Sequence, residues 1–167
     1  EAGLLDQISD FVMKQAGEDL DKLVKFCPED FMLSLNITAG QLETPLVYQQ
    51  IKGLLKKYTF RPGQVGLELT EQTALSASPV IRERMEAIRE LGVQMIMDDF
   101  GMGHSSVMYL QNSQFDMVKL DGALVRELLE NQRCSDIISS ILYLAGSLHF
   151  QVLAEYVETE EQREALK

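Results

Sequence analysis

The sequence has 167 residues, 46% of them hydrophobic and 25% charged, which supplies enough apolar side chain for one sizeable globular core. The formal net charge of −11 excludes a protein that grips DNA or RNA duplexes through a basic surface, although metal cations would still let it bind a phosphorylated ligand. No apolar run approaches the roughly 18 residues of a membrane span, and the opening Glu1-Ala2-Gly3-Leu4-Leu5-Asp6 is not signal-like, so a cytoplasmic location is expected.

Leu5, Ile8, Phe11 and Val12 recur at helical spacing and predict a first helix. A β-prone run follows at residues 32–38, and another at 65–70. Val80, Met85, Ile88 and Leu91 mark a helix that ends at Leu91-Gly92 and feeds a strand over residues 93–100. Further strands are predicted at 117–121 and 151–157, separated by a helix marked by Ile137, Ile138, Ile141, Leu142 and Leu144. Cys27 and Cys134 are far apart and have no ligand-type spacing, so both are read as free thiols in a reducing compartment.

Strands separated by helices imply parallel pairing and an α/β class. Five strands suit either a small doubly wound sheet or part of a barrel. Side-chain alternation favours the barrel. Ser34 and Asn36 oppose Leu33, Leu35 and Ile37, while Gly66, Glu68 and Thr70 oppose Leu67 and Leu69. Met117, Lys119 and Asp121 oppose Val118 and Leu120, and Leu153 and Glu155 oppose Ala154 and Tyr156. A doubly wound sheet reads apolar on both faces, whereas a barrel gathers polar groups at the C-terminal ends of its strands.

The residues with chemical potential lie at those ends. Asp98-Asp99 closes the apolar run Val93-Gln94-Met95-Ile96-Met97. Burying such a pair is costly unless it is neutralised, and hard divalent cations take oxygen ligands of this kind. Capping of the following turn explains the pair equally well. Glu68 is flanked by leucines, so a metal ligand competes with a water-facing edge charge. Asn36 offers an amide oxygen to a metal or to a loop. Lys119 is suited to orient water or offset charge on a phosphate, or simply to form a salt bridge. Glu155 fits a ligand, a base or an internal ion pair, for instance with Lys119. Together these residues fit a two-metal site for in-line displacement at phosphorus. His104 and His149 lack helix-spaced partners for zinc. Gly101-Met102-Gly103 is not followed by Lys-Ser/Thr and is no P-loop, and Ser105 and Ser106 lack triad context.

Five ordered stretches resemble the EAL family of cyclic di-GMP phosphodiesterases. They are Leu33-Ser34-Leu35-Asn36-Ile37-Thr38 with Gln41-Leu42, then Glu68-Leu69-Thr70-Glu71, Asp98-Asp99-Phe100-Gly101-Met102-Gly103-His104-Ser105-Ser106, Lys119-Leu120-Asp121, and Ala154-Glu155-Tyr156-Val157-Glu158. The resemblance implies a TIM-like (β/α)8 barrel of EAL type that hydrolyses cyclic di-GMP to linear pGpG with Mg²⁺ or Mn²⁺. It implies Asn36, Glu68, Asp98 and Asp99 as metal ligands, and Lys119 and Glu155 as the groups that position the attacking water and act as base. Glu71 and Glu158 would support the loop or the substrate. A homodimer, with sensory or GGDEF domains attached in the full-length protein, is implied as well.

Some positions depart from the family pattern. Met102 replaces the usual threonine, His104 the usual tyrosine, and Tyr156 stands where glycine is usual. The sequence lacks an initiator Met, the glutamate motif that names the family and a late Gln-Gly segment. Residues 1–167 are therefore expected to be an incomplete EAL domain, missing the N-terminal strand and a C-terminal strand, and inactive or barely active alone. Two other readings compete: a degenerate EAL domain that binds cyclic di-GMP or a protein without cleavage, and a structural α/β module.

Overall fold

Strands and helices alternate along the chain in the computed structural model, which describes residues 2–101 and 115–167. The helices are α1 (Ala2–Leu23), α2 (Ala39–Glu43), α3 (Leu46–Lys57), α4 (Glu71–Leu75), α5 (Pro79–Arg89), α6 (Gly122–Glu127), α7 (Gln132–Leu148) and α8 (Glu160–Ala165). The strands are β1 (Leu33–Asn36), β2 (Val65–Thr70), β3 (Gln94–Phe100), β4 (Met117–Leu120) and β5 (Gln151–Ala154). Two compact units emerge, one of Glu1–Glu68 with Ala77–Gln94, the other of Leu69–Ser76 with Met95–Lys167.

In the first unit β1 and β2 pair in parallel, with Leu33 opposite Val65 and Asn36 opposite Glu68. The crossover between them carries α2 and α3, as a parallel pair requires. Val47, Ile51 and Leu54 recur one turn apart along α3 and are buried. Leu42, Leu67, Ile81, Met85 and Ile88 join them in the core. The expected first helix is α1, and its apolar residues differ in burial. Ile8, Phe11 and Val12 are 50, 67 and 44% exposed, while Met13 and Leu20 are the buried residues. Helical spacing identifies stripes, and the stripe that packs is the one facing a neighbour; α1 contacts α3.

In the second unit β3, β4 and β5 pair in parallel, with Ile96 opposite Met117 and Lys119 opposite Leu153. Met95, Ile96, Met97, Val118, Leu120 and Leu124 are almost fully buried. The start of the β3–β4 pair is clasped by Asp116, whose carboxylate accepts from the Met95 N–H at 2.9 Å. Capping residues decide where several strands stop. Asp121 accepts from the Ala123 N–H at 2.7 Å and starts α6 directly after β4. β5 is shorter than the expected residues 151–157, ending at Ala154, and the left-handed Tyr156, φ 57°, follows two residues later. Parallel strands packed with helices make both units α/β.

Candidate active site

The first unit holds a neighbouring amide and carboxylate. Asn36 closes β1, and the chain then enters α2 through a capping box. Thr38 accepts from the Gln41 N–H at 3.4 Å, and the Gln41 side chain accepts from the Thr38 N–H at 2.9 Å. That box anchors the chain two residues beyond Asn36, which is exposed. Its register partner Glu68 is only 9% exposed, which rules out a water-facing edge charge. The Ser34 hydroxyl donates a short hydrogen bond to the Glu68 carboxylate. Ser34 was not among the expected site residues. Its position two before Asn36, on the same strand face, is the signal that would have found it.

The second unit holds the denser cluster. β3 and β4 lose register between Met97 and Phe100, where three steps along β3 match two along β4, from Val118 to Leu120. The extra residue is a β-bulge containing Asp98 and Asp99. Asp99 has φ 57°, a region that Asp tolerates better than most side chains. An unbulged strand would point these carboxylates to opposite faces; the bulge changes their aim.

Lys119, on β4, sits between Asp98 and Glu155. Its Nζ lies 3.1 Å from Asp98 Oδ1 and 2.7 Å from Glu155 Oε1. The three side chains are 12, 19 and 35% exposed respectively, so this is a shielded ion triad rather than a surface contact. It is also the internal ion pair that a purely structural reading anticipates. The Asp99 carboxyl is pushed above the ordinary aspartate range, first by lost hydration, then by the like charges of Asp98, Asp121 and Glu155, with Lys119 opposing. Because Asp99 is exposed as a residue, the crowding of carboxylates is the more substantial cause. Negative charge therefore exceeds positive charge around this bulge.

The loop after Asp99 is tied to α4. Thr70 caps that helix by accepting from the Thr73 N–H at 3.3 Å, and this sets Glu71 at its first position. Glu71 is 4% exposed and its Oε2 accepts from the Gly101 N–H at 3.3 Å. Gly101 has φ 111°, and a Cβ there would lie 2.4 Å from Leu124 Cδ1, so only glycine suits the position. Glu158 is exposed, and its backbone N–H donates to Gln162 Oε1 at 2.8 Å ahead of α8. The loop positions Met102, Gly103, His104, Ser105 and Ser106 lie outside the described residues.

Hard oxygen donors dominate. Among the described residues no group of three His, Cys, Asp or Glu side chains forms a ready-made metal cage. Mg²⁺ commonly takes one or two carboxylates and completes its shell with water and phosphate oxygens, so the donor chemistry fits such a cation without a cage. A groove of about 460 Å³ in the first unit, lined by Asp10, Met13, Lys14, Leu54 and Tyr58 among others, includes none of the candidate residues.

The EAL domain model matches residues 1–167. The cyclic di-GMP phosphodiesterase NbdA of Pseudomonas aeruginosa is 31% identical over 160 residues, which is 96% of this chain and 20% of NbdA. The chain thus spans about a fifth of that relative's length. Among solved structures, the Pseudomonas aeruginosa MucR phosphodiesterase in complex with c-di-GMP is 30% identical, with a TM-score of 0.87, covering 99% of this chain and 67% of that one. Klebsiella pneumoniae BlrP1, solved as manganese and calcium complexes with cyclic di-GMP, is 28% identical with a TM-score of 0.79, covering 93% of this chain and 40% of that one.

Proposed function

Because the chain belongs to the EAL domain family and has its α/β, TIM-like barrel fold, we propose that the protein carrying it is a metal-dependent phosphodiesterase that hydrolyses cyclic di-GMP to linear pGpG. The observation that carries this reading is the Lys119 ammonium held between Asp98 and Glu155, beside a bulge that crowds Asp99 with further carboxylates. The excess of negative charge at this cluster fits a protein that recruits cations to meet an anionic substrate. The activities for which NbdA and MucR are named support the substrate class.

In this reading Asn36, Glu68, Asp98 and Asp99 are the ligands of Mg²⁺ or Mn²⁺, the latter supported by the manganese complex of BlrP1. When bound, a pair of such cations supplies Lewis acidity and charge neutralisation for in-line displacement at phosphorus. Lys119 fixes the Asp98 and Glu155 carboxylates and presents N–H donors toward charge growing on a phosphate oxygen. Glu155 takes a proton from the attacking water at its carboxylate. Glu71 holds the backbone after Asp99 through Gly101, and Glu158 supports the turn after β5. The same family membership supports a homodimer with further sensory or GGDEF domains. A cytoplasmic location accords with the finding that no described helix is long and apolar enough to cross a membrane.

The test is Mn²⁺-dependent release of pGpG by the full-length protein, beside Asp98→Asn and Glu155→Gln. Turnover by wild type and loss of at least about a hundredfold in both variants is expected. A second reading, binding without cleavage, draws on Tyr156, a bulky left-handed residue directly after Glu155. Saturable cyclic di-GMP binding by wild type with no turnover would select it.

A further inference from the structure

Three non-glycine residues have positive φ in the described structure: Asp99, His149 and Tyr156. Asp and His are among the types that tolerate this region, whereas for a bulky aromatic it is a true outlier. An outlier of this kind persists only where its surroundings impose it, and such positions cluster at functional sites. Core burial does not account for Tyr156, because the residue is 56% exposed.

The surroundings that hold it are specific. A Cβ on Gly122 would lie 2.2 Å from Tyr156 Cδ2 and 2.7 Å from Cε2, so the ring occupies space left by that glycine. One turn further along α6, the Arg126 guanidinium carbon lies 4.7 Å from the ring centroid, a cation–π contact. The ring is thus braced along α6 while more than half the residue remains open to solvent. Its chain neighbour is Glu155, whose Oε1 meets Lys119 at 2.7 Å. Tyr143 and Phe26 are more exposed still, at 76 and 88%, yet neither has positive φ or adjoins the carboxylate cluster.

We propose that Tyr156 is a specificity-determining residue that stacks a purine base of the dinucleotide substrate, with Arg126 bracing the ring. This rests on the phosphodiesterase reading. A partly exposed aromatic ring that already stacks with a guanidinium suits a nucleobase attached to a phosphate, since every base has a π-face and stacking is favourable without hydrogen-bond readout. The family pattern has glycine here, so the platform belongs to this chain rather than to the shared chemistry.

The experiment compares full-length wild type, Tyr156→Phe, Tyr156→Leu and Tyr156→Gly in steady-state hydrolysis of cyclic di-GMP with Mn²⁺. Loss of one base-stacking contact predicts a KM increase of about tenfold in the Leu and Gly variants, a much smaller one in Phe, and kcat changing less than KM in all three. The glycine variant relieves the left-handed strain, so poor folding cannot explain its defect. The described chain contains no tryptophan, and Tyr156→Trp adds a fluorophore whose emission, measured over wild type, should be quenched saturably by cyclic di-GMP in Ca²⁺. A normal KM in Tyr156→Leu, or a fall confined to kcat, overturns the stacking role while leaving the phosphodiesterase intact. A wild type that neither binds nor cleaves cyclic di-GMP overturns the functional reading and this inference together.

Discussion

The two units handle buried or shielded carboxylates differently. In the first, Glu68 is 9% exposed and receives a neutral hydroxyl from Ser34, with the uncharged Asn36 as its register partner. In the second, Asp98 and Glu155 share the Lys119 ammonium, and Asp99 sits on a bulge among like charges. A hydroxyl donor orients a carboxylate through one directional hydrogen bond. An ammonium removes much of the cost of gathering several carboxylates at once. The contrast is between a single carboxylate held by a hydroxyl and a cluster of carboxylates held by an ammonium.

Removing the ammonium is the sharpest way to break the comparison. Lys119→Met should lower cyclic di-GMP hydrolysis by the full-length protein by about 10³-fold. Thermal unfolding without added metal should also show a loss of about 1–3 kcal/mol, discounted from a fully buried pair because Glu155 remains 35% exposed. Wild-type activity in this variant would show that the triad is structural only.

The next largest effect should come from the backbone after the bulge. Gly101→Ala places a methyl 2.4 Å from Leu124 Cδ1 at φ 111°, and should cost about 2–4 kcal/mol in denaturant unfolding. Glu71→Ala removes the acceptor of the Gly101 N–H and should cost about 1–3 kcal/mol, with activity falling more than stability alone explains. Glu71→Gln, which retains an acceptor oxygen, should recover part of that loss. Activity that simply tracks the folded fraction would separate Glu71 from the Asp98–Lys119–Glu155 cluster.

The smallest effect belongs to the first unit. Ser34→Ala should cost about 1 kcal/mol in unfolding and weaken Mn²⁺ activation about tenfold, as expected of a partner that orients a ligand. A loss equal to that of Lys119→Met would erase the distinction between orienting and charge-balancing roles.

Several features were legible in the linear sequence because their cause is local. Apolar, β-prone runs identified all five described strands, and β2 has the predicted limits, residues 65–70. Oxygen donors at strand ends, with the order of the five motifs, identified the family that the match over residues 1–167 establishes. Other features required neighbours that are distant along the chain. Apolar spacing in α1 could not say which stripe would face α3, and Ile8, Phe11 and Val12 turned outward while Met13 and Leu20 packed. The Asp98–Asp99 bulge exists only relative to the register of β4, so alternation within β3 could not reveal where those carboxylates point. Composition and periodicity determined the α/β class and the kinds of donor available, because they depend on each residue and its near neighbours. Tertiary structure alone decided that Lys119 binds both Asp98 and Glu155, and that Tyr156 is held left-handed against Gly122. Those outcomes depend on packing between strand and helix positions that local sequence preferences do not encode.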